Sequence, residues 1–312
     1  MGRSSINGLH HVTAICGHPQ ANHRFYTGVL GLRLVKRTVN FDDPGTYHLY
    51  YGDGAGSPGT ILTFFPWMGV PNGRLGTGMA VSTAFRTGEA SLGWWKRRLE
   101  ENKVVVRGPL RRFDESFLEF SDPDGLVLEI VAPAGALPAT VEWAKSPVPS
   151  EHALRGFHTV SLSEATQGFT GDLVTAKMGY RLVGEEGGRF RYAAPGAAGA
   201  ALLDILASPG GRPGLQGAGT VHHVAFRVQD DTAQLGWLEK LQRSGLGVSP
   251  VMDRSYFHSI YYREPGGVLF EIATDSPGFA TDEPAESLGE RLMLPRQYEA
   301  QRAQIERALP PL

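Results

Sequence analysis

Four stretches of the chain have the apolar pattern of short strands, and each is followed by a stretch with helical spacing. The strand-like stretches are residues 8–15, 79–86, 156–162 and 221–227. The helix-like stretches are residues 20–28, 89–100, 166–178 and 233–244. In the second of these helices Leu92, Trp95 and Leu99 recur three and four residues apart, which favours a helix with one buried face. The regular return of a strand followed by a helix indicates an internal repeat.

Three further short strands are predicted to complete each repeat. In the second and fourth repeats, residues 122–130 and 264–272 consist of a turn rich in proline and glycine and an apolar run that ends in Glu-Ile. The first and third repeats close over residues 59–64 and 199–205. The pattern therefore predicts an α+β protein built from four βαβββ units.

Proline-rich residues 133–149 separate the repeats into two pairs and are typical of a linker. We predict an N-terminal domain of two units over residues 1–135, a linker over 136–154, a C-terminal domain of two units over 155–280 and a helical tail over 281–312. Residues 294–309 have the pattern of one amphipathic helix, which two prolines then end. This helix is expected to pack across the domains or to serve as a homo-oligomer contact.

Composition narrows the class of protein. Of the 312 residues, 41% are hydrophobic and 20% are charged, a balance that allows a sizeable core and excludes a disordered chain. The 30 Lys and Arg against 32 Asp and Glu give a net charge of −2. The chain therefore lacks the basic excess of a protein that binds nucleic acid through its phosphates.

The sequence also predicts where the protein acts. No apolar run approaches the roughly 20 residues that span a bilayer, and residues 1–6 lack the apolar segment of a signal peptide. A single cysteine, Cys16, permits no internal disulfide and no zinc site made of cysteines. We therefore expect a cytoplasmic protein that binds neither membranes nor nucleic acid.

Two of the four repeats begin with paired histidines, His10-His11 and His222-His223. Because neighbouring residues of a strand point to opposite faces, one histidine of each pair faces each side of the sheet. The apolar residues Val224 and Phe226 share a face with His222, which places His222 on the side that the helices cover. His11 and His223 share the other face, which is expected to line a cavity.

Glu271 ends the apolar strand of the fourth repeat, where an unpaired carboxylate is costly to bury. A metal ion removes this cost. Two neutral imidazoles and one carboxylate, from His11, His223 and Glu271, form the donor set of non-haem Fe(II) oxygenases, which leaves coordination positions open. The return of the histidines at equivalent positions favours a metal site over separate structural roles.

The chain resembles the vicinal oxygen chelate superfamily, and more narrowly its hydroquinone ring-cleaving dioxygenases. The resemblance covers nearly the whole chain and is strongest in Gly8-Leu9-His10-His11-Val12-Thr13-Ala14, in Asp253-Arg254-Ser255-Tyr256-Phe257 and in residues 259–275 and 277–280. In that family βαβββ modules pair into cup-shaped mixed sheets that hold a metal. The resemblance implies Fe(II), with Mn(II) or Zn(II) as alternatives, bound by His11, His223 and Glu271.

The resemblance also implies a reaction, the cleavage of a hydroquinone or related phenolic ring with O2 as the second substrate. Arg254 and Tyr261 would stabilise negative charge on oxygen in a cup that excludes water. His10 and His222 would stand near the metal as well. Since strand alternation turns both away from the cup, we expect them to act by supporting neighbouring groups.

Two other functions stay open. A glyoxalase-like metal-dependent isomerase or lyase would take a fourth ligand at Thr63, the counterpart of Glu271 in the first repeat, and threonine is a poor ligand. A non-catalytic resistance protein would bind a small molecule without consuming O2. A catechol-cleaving relative would need a histidine at Thr159, the counterpart of His11 in the third repeat, so hydroquinones are the expected substrates. The second set of equivalent positions has no histidine and is not expected to hold iron: Ser82, Glu129, Thr159 and Asp204.

Overall fold

The four predicted repeats are present in the structure, a computed structural model that describes residues 5–195 and 202–312. The first repeat consists of β1 (Leu9–Cys16), α1 (Pro19–His23), β2 (Arg33–Val39), β3 (Tyr47–Gly52) and β4 (Ile61–Pro66). The second consists of β5 (Met79–Arg86), α2 (Leu92–Glu101), β6 (Val106–Arg112), β7 (Glu115–Ser121) and β8 (Val127–Ala132). The third consists of β9 (Phe157–Glu164), α3 (Gly168–Asp172), β10 (Arg181–Glu186), β11 (Arg189–Ala193) and β12 (Leu202–Ala207). The fourth consists of β13 (Thr220–Val228), α4 (Asp231–Arg243), β14 (Met252–Asp253), β15 (Phe257–Arg263) and β16 (Leu269–Pro277).

The predicted βαβββ unit and the α+β class are thereby confirmed. Of the strand predicted to close the third repeat, residues 199–201 lie outside the described ranges, and so do residues 1–4 at the N-terminus. Helices α1 and α3 each continue as a short π-helix, over Arg24–Val29 and Leu173–Lys177. No helix in the described ranges is long and apolar enough to cross a membrane.

The tail contains a shorter α-helix than expected. A 3-10 helix covers Arg296–Gln301, and α5 covers only Arg302–Ala308. The prediction of one helix over residues 294–309 is therefore wrong. Gln301 has φ −106° and ψ 8°, outside the helical region, and the hydroxyl of Tyr298 donates to the carbonyl of Phe41 at 2.7 Å. Contacts with the body of the protein thus interrupt the regular helical spacing.

The strands form two eight-stranded sheets, and each sheet combines two repeats. The first sheet has the order β14-β15-β16-β13-β1-β4-β3-β2, so it joins the fourth repeat to the first. The second has the order β10-β11-β12-β9-β5-β8-β7-β6, so it joins the third repeat to the second. In each sheet the repeats meet at an antiparallel pair, β1 with β13 and β5 with β9, while β4 and β8 lie parallel to their neighbours β1 and β5. The expected mixed, curled sheets are confirmed.

The predicted division of the chain into two domains at residues 136–154 stays a prediction. Each of the two sheets combines one repeat that precedes these residues with one that follows them. Local sequence pattern identifies each repeat but does not contain the choice of its partner, which depends on contacts between distant strands. The residues between the two halves are held against the first repeat. The amide of Gly54 donates to the carbonyl of Val141 at 2.7 Å, and Asp53 accepts from the amide of Val141 at 3.2 Å.

The core lies between the outer faces of the sheets and the helices that cover them. In β1 the buried residues Val12, Ala14 and Cys16 alternate toward the core, which leaves Thr13 on the inner face of the sheet. Trp95 of α2 is completely buried in the same core. The alternation therefore divides each sheet into an apolar outer face and a more polar inner face.

A buried pair of carboxyl groups lies where the second sheet meets a turn of the first. Glu164 ends β9, and Glu264 begins the turn before β16; both are almost completely buried. Glu264 accepts hydrogen bonds from the hydroxyl of Thr170 at 2.6 Å and from the amides of Gly266 and Val268 at 2.8 and 2.7 Å. Glu164 has one oxygen, Oε1, without a hydrogen-bond partner in the described part of the chain. Burial, and after it the charge of Glu264, raises the pKa of Glu164 to about 8.

The repeat symmetry produces a second junction of the same kind. Asp122, in the turn before β8, accepts from the hydroxyl of Tyr26 at 2.9 Å, and burial raises the pKa of Asp122 to about 6. Asp124 lies against Gly17, where an added Cβ would come within 2.9 Å of its carboxylate oxygen. Both places where the sheets meet therefore hold two neighbouring acidic groups, of which Asp124 is only half-buried.

Two cations of β2 hold the segment that follows β16. The ammonium group of Lys36, itself fully buried, lies 2.5 Å from Asp282 and 2.6 Å from the buried Glu283. Arg33 donates to four main-chain carbonyls, those of Gly54, Ala285, Glu286 and Leu288. The tail is thus fixed to the edge of the first sheet.

Candidate metal centre

Three strands that lie side by side in the first sheet bring the predicted ligands together. β16, β13 and β1 are consecutive in the sheet and carry Glu271, His223 and His11 on its inner face. One ligand atom from each residue lies within 4.8 Å of the other two, and all three residues are buried. The sequence-based grouping of these residues therefore matches their positions in the fold.

The three ligand atoms are spaced as donors to one metal ion. The Nε2 atoms of His11 and His223 lie 3.2 and 3.0 Å from Oε2 of Glu271 and 3.3 Å from each other. This Oε2 is buried and has no hydrogen bond of good geometry in the described part of the chain. Donors bound at roughly 2.0–2.2 Å, with angles of about 90–110°, lie roughly 2.8–3.6 Å apart. The donor set and its spacing therefore fit a divalent first-row metal.

The protonation of these groups also fits a cation. Burial alone would raise the pKa of Glu271, but the imidazoles of His11 and His223 outweigh that effect and hold the pKa well below its usual range. Burial lowers the pKa of His223. An ionised carboxylate and a neutral imidazole are the forms that bind metal ions.

β-Bulges turn the first histidine of each pair toward the second. In the pairing of β1 with β13 the register skips His10 and His222. The Nδ1 atoms of His10 and His11 lie 2.9 Å apart, and those of His222 and His223 lie 2.8 Å apart. The expectation that His222 faces away from the cup is wrong: it lines the cavity beside the ligands, because a bulge adds one residue and shifts the alternation. His10 is buried against the ring of His11.

The histidine pairs leave the correct nitrogens free for a metal. When Nδ1–H of His11 donates to His10, and Nδ1–H of His223 donates to His222, both Nε2 atoms keep a lone pair for a metal ion that Glu271 would also bind. The second oxygen of that carboxylate is also held, because the hydroxyl of Ser259 donates to Oε1 at 2.5 Å.

Tyr261 and Arg254 lie together on one wall of the site. Tyr261 is the partner of Glu271 in the pairing of β15 with β16, and its ring centroid is 5.6 Å from that of His223. The guanidinium carbon of Arg254 is 5.5 Å from the centroid of the Tyr261 ring, and Nη2 is 3.6 Å from a carboxylate oxygen of Asp42. Burial, and after it the charge of Glu271, raises the pKa of Tyr261, so its phenol stays protonated at neutral pH. This wall combines a cation with a hydrogen-bond donor.

A cavity of about 340 Å³ adjoins the ligands and has His11, His222, His223, Arg254 and Tyr261 in its wall. Sequence reasoning missed the remaining lining residues: Asn40, Phe41, Asp42, His48, Tyr50, Phe65, Trp67, Phe257 and Leu269. A mostly aromatic cavity of this size suits one substituted ring. His48 and Tyr50 alternate with core residues along β3, and that alternation is the signal that could have identified them.

The equivalent positions in the second sheet are occupied by a network of ion pairs. Ser82, Glu129, Thr159 and Asp204 are buried there. Nη2 of Arg112 lies 2.5 Å from Oε2 of Glu129, and Nε of Arg191 lies 2.8 Å from Oδ1 of Asp204. Guanidinium groups of the protein thus neutralise both carboxylates.

Comparison with known proteins agrees with the fold. The family model of the Glyoxalase/Bleomycin resistance protein/Dioxygenase superfamily matches residues 8–130 and 142–272. The chain belongs to this superfamily, as its resemblance to the vicinal oxygen chelate proteins indicated. A solved structure of glyoxalase I from Zea mays, 14% identical, covers 86% of this chain and 92% of its own with a TM-score of 0.65, which reflects the shared fold.

Three similar proteins that match nearly the whole chain are named as dioxygenases. The Bacillus subtilis protein named "Putative ring-cleaving dioxygenase MhqO" is 50% identical over 97% of this chain and 96% of its own. A chlorohydroquinone/hydroquinone 1,2-dioxygenase of Sphingobium indicum is 35% identical over 97% of this chain and 96% of its own. A crystal structure described as a putative dioxygenase from Bacillus subtilis is 48% identical, with a TM-score of 0.94 over 99% of this chain and 98% of that chain. These full-length similarities support a dioxygenase enzyme.

Proposed function

We propose that the protein is an Fe(II)-dependent dioxygenase that uses O2 to cleave the ring of a hydroquinone or a related phenol. The observation that carries this proposal is the cluster of His11, His223 and Glu271 beside a cavity lined with aromatic side chains. The choice of ring is supported by the similar protein named as a chlorohydroquinone/hydroquinone 1,2-dioxygenase.

His11, His223 and Glu271 would hold the metal from one side. When bound, a redox-active divalent ion supplies neighbouring open positions for a phenolic oxygen and for O2 and mediates electron transfer between them. The hydrogen bonds of His10 and His222 at the two Nδ1 atoms fix the orientation of both imidazoles. The protein thus presents three rigid donors and leaves the rest of the site to the substrates.

Tyr261 and Arg254 have a separate task at the substrate oxygen. A phenolic oxygen that has lost its proton carries negative charge, and both side chains face the cavity where that oxygen binds. The Oη–H of Tyr261 donates a hydrogen bond to this oxygen, and the guanidinium group of Arg254 contributes its positive charge. Such interactions are strong where the cavity excludes water.

The surroundings of Thr63 favour three protein ligands over four. Its hydroxyl lies 2.8 Å from the hydroxyl of Thr13 and 2.8 Å from Nε2 of His48, so its hydrogen bonds are made within the protein. A glyoxalase-like isomerase would take its fourth ligand here. In our proposal the partners are a small aromatic substrate and O2, and the reaction takes place in the cytoplasm.

Metal content and oxygen consumption of protein purified without air test this proposal. We expect about one Fe(II) per chain, uptake of O2 with hydroquinone, and a higher kcat/KM for hydroquinone than for catechol. Glu271→Gln removes the single anionic donor at nearly constant size, so metal occupancy should fall strongly. Glu129→Gln, at the equivalent position of the second sheet, is the matched control and should keep the metal.

Two results would count against the proposal in different ways. Full metal occupancy and full activity of Glu271→Gln would refute the ligand assignment. Tight binding of hydroquinones by the iron-loaded protein, with no O2 uptake for any of them, would refute the reaction and would favour a binding protein.

A further inference from the structure

The first sheet has an internal two-fold symmetry that gives each residue of the metal centre a counterpart. His11 and His223 occupy equivalent positions in β1 and β13. On the strands beside them, β4 carries Thr63 where β16 carries Glu271. The half of the site opposite Glu271 therefore has its own set of side chains, to which the proposed reaction assigns no role.

Two tyrosines face the cavity from the two halves of the sheet. Tyr50 pairs with Thr63 and Tyr261 pairs with Glu271, so the two tyrosines occupy equivalent positions. Tyr261 lies under the guanidinium group of Arg254, whereas the hydroxyl of Tyr50 lies 2.7 Å from Nδ1 of His48. Burial, and after it the neighbouring imidazoles, holds the pKa of His48 well below its usual value. The Tyr261 side thus carries the guanidinium group of Arg254, with a carboxylate oxygen of Asp42 3.6 Å from it, and the Tyr50 side carries a neutral imidazole.

His48 connects Tyr50 to two buried hydroxyl groups. Its Nε2 lies 2.8 Å from Oγ1 of Thr63, which in turn lies 2.8 Å from Oγ1 of Thr13. The ring of His48 is packed between the rings of Tyr50 and Phe65, with centroids 4.0 and 4.4 Å away. The imidazole is therefore fixed in place and bonded at both nitrogens.

A neutral imidazole has one N–H, so the hydrogens of this chain must all point the same way. When Tyr50 donates to Nδ1, Nε2–H of His48 donates to Thr63, and the phenol oxygen is an acceptor toward the cavity. When Thr63 donates to Nε2, Nδ1–H donates to Tyr50, and the phenol hydrogen is free to point into the cavity. The tautomer of His48 thus decides whether Tyr50 accepts or donates.

We propose that His48, acting through Tyr50, is the positioning residue that recognises the second, un-ionised hydroxyl group of a hydroquinone. The inference rests on the proposed function for the identity of the substrate. The ionised oxygen is attracted to the wall with Arg254 and Tyr261. A neutral hydroxyl both donates and accepts, so it matches a phenol that can take either role. A ring with hydroxyl groups at opposite ends presents one of them to each wall.

Anaerobic calorimetric titration of the metal-loaded protein with hydroquinone and with phenol tests this inference. Phenol has the same ring and lacks the second hydroxyl group, so the wild type should bind it less tightly. His48→Phe keeps an aromatic ring and removes both nitrogens, and it should weaken hydroquinone binding about tenfold while phenol binding changes less than about twofold. Tyr50→Phe should give the same result. The double variant should lose nothing more, because the two residues act as a unit.

Tyr51→Phe is the matched control, since Tyr51 is in the same strand but faces the core, and its hydroxyl has no partner in the described ranges. It should leave both affinities unchanged. His48→Gln, which can donate and accept, should recover part of the affinity for hydroquinone. Equal weakening for the two ligands, additive losses in the double variant, or no loss at all would overturn the inference. If the wild type prefers hydroquinone to phenol but takes up no O2, the proposed ring cleavage is refuted while the recognition of the second hydroxyl group stands.

Discussion

Replacement of Glu164 by glutamine should change how the stability of the protein depends on pH. Glu164 is buried beside Glu264, and burial, followed by that neighbouring charge, raises its pKa from 4.5 to about 8. Between these values the unfolded chain has released the proton that the folded protein still holds. The protonated carboxyl therefore stabilises the fold below pH 4.5, and this contribution is lost as pH rises toward 8.

The size of the effect follows from the shift. The difference between 4.5 and about 8 is 3.5 units. At roughly 1.4 kcal/mol per unit, the wild type should lose at most about 5 kcal/mol between these pH values and nothing further above them. Glutamine stays neutral throughout, and its amide can donate to Glu264. Glu164→Gln should match the wild type near pH 5 and be the more stable protein at pH 9.

Urea unfolding of both proteins at intervals from pH 5 to pH 9 measures this difference directly. Glu101→Gln, an exposed substitution on α2, is the control and should follow the wild-type curve. Titration of other groups, including Asp122, affects all three proteins alike and cancels in the comparison. If the free energies of unfolding of Glu164→Gln and the wild type stay parallel across this range, Glu164 is ionised in the fold and the reasoning fails.

Two further substitutions test the site and the tail. Tyr261→Phe should keep the metal and lower kcat about 10²–10³-fold, as loss of an oxyanion donor does. Tyr262→Phe, on the outer face of the same strand, is the control. An unchanged kcat for Tyr261→Phe would mean that its phenol takes no part in the reaction. Lys36→Met leaves Asp282 and Glu283 without their buried cation and should reduce the free energy of unfolding by about 3–5 kcal/mol. Chemical denaturation measures this loss. The double variant Lys36→Met with Glu283→Gln should recover part of the lost stability. If Lys36→Met alone is as stable as the wild type, Lys36 does not have this role.

The repeats and the ligand cluster could be predicted because both leave local signals. A strand that opens with His-His is rare enough to be recognised when it returns, and a carboxylate at the end of an apolar run, as at Glu271, requires a partner. Their meeting point depends on the pairing of β1 with β13, across more than 200 residues of chain. The sequence pattern does not contain that pairing; the equivalent positions of the two histidine pairs in their repeats were the signal that placed them in one cavity.

The errors have physical causes of their own. The direction of His222 depends on a bulge, which arises from the fit of two strands and has no mark in either strand alone. Ser259 was missed because a serine in a strand is ordinary until its neighbour is known to be a buried carboxylate. His48 and Tyr50 alternate with core residues along β3, but nothing in that strand alone shows that its other face lines a cavity.

The union of the first repeat with the last sets the time at which the three candidate metal ligands can first come together during synthesis. Glu271 follows His11 by 260 residues. At roughly 5–20 residues per second, the ribosome needs about 13–52 s to add the last ligand after the first. The strands of the second sheet lie between them in the chain and can pair earlier. A nascent chain thus carries an isolated histidine pair through most of translation, and the candidate metal centre can form only at its end.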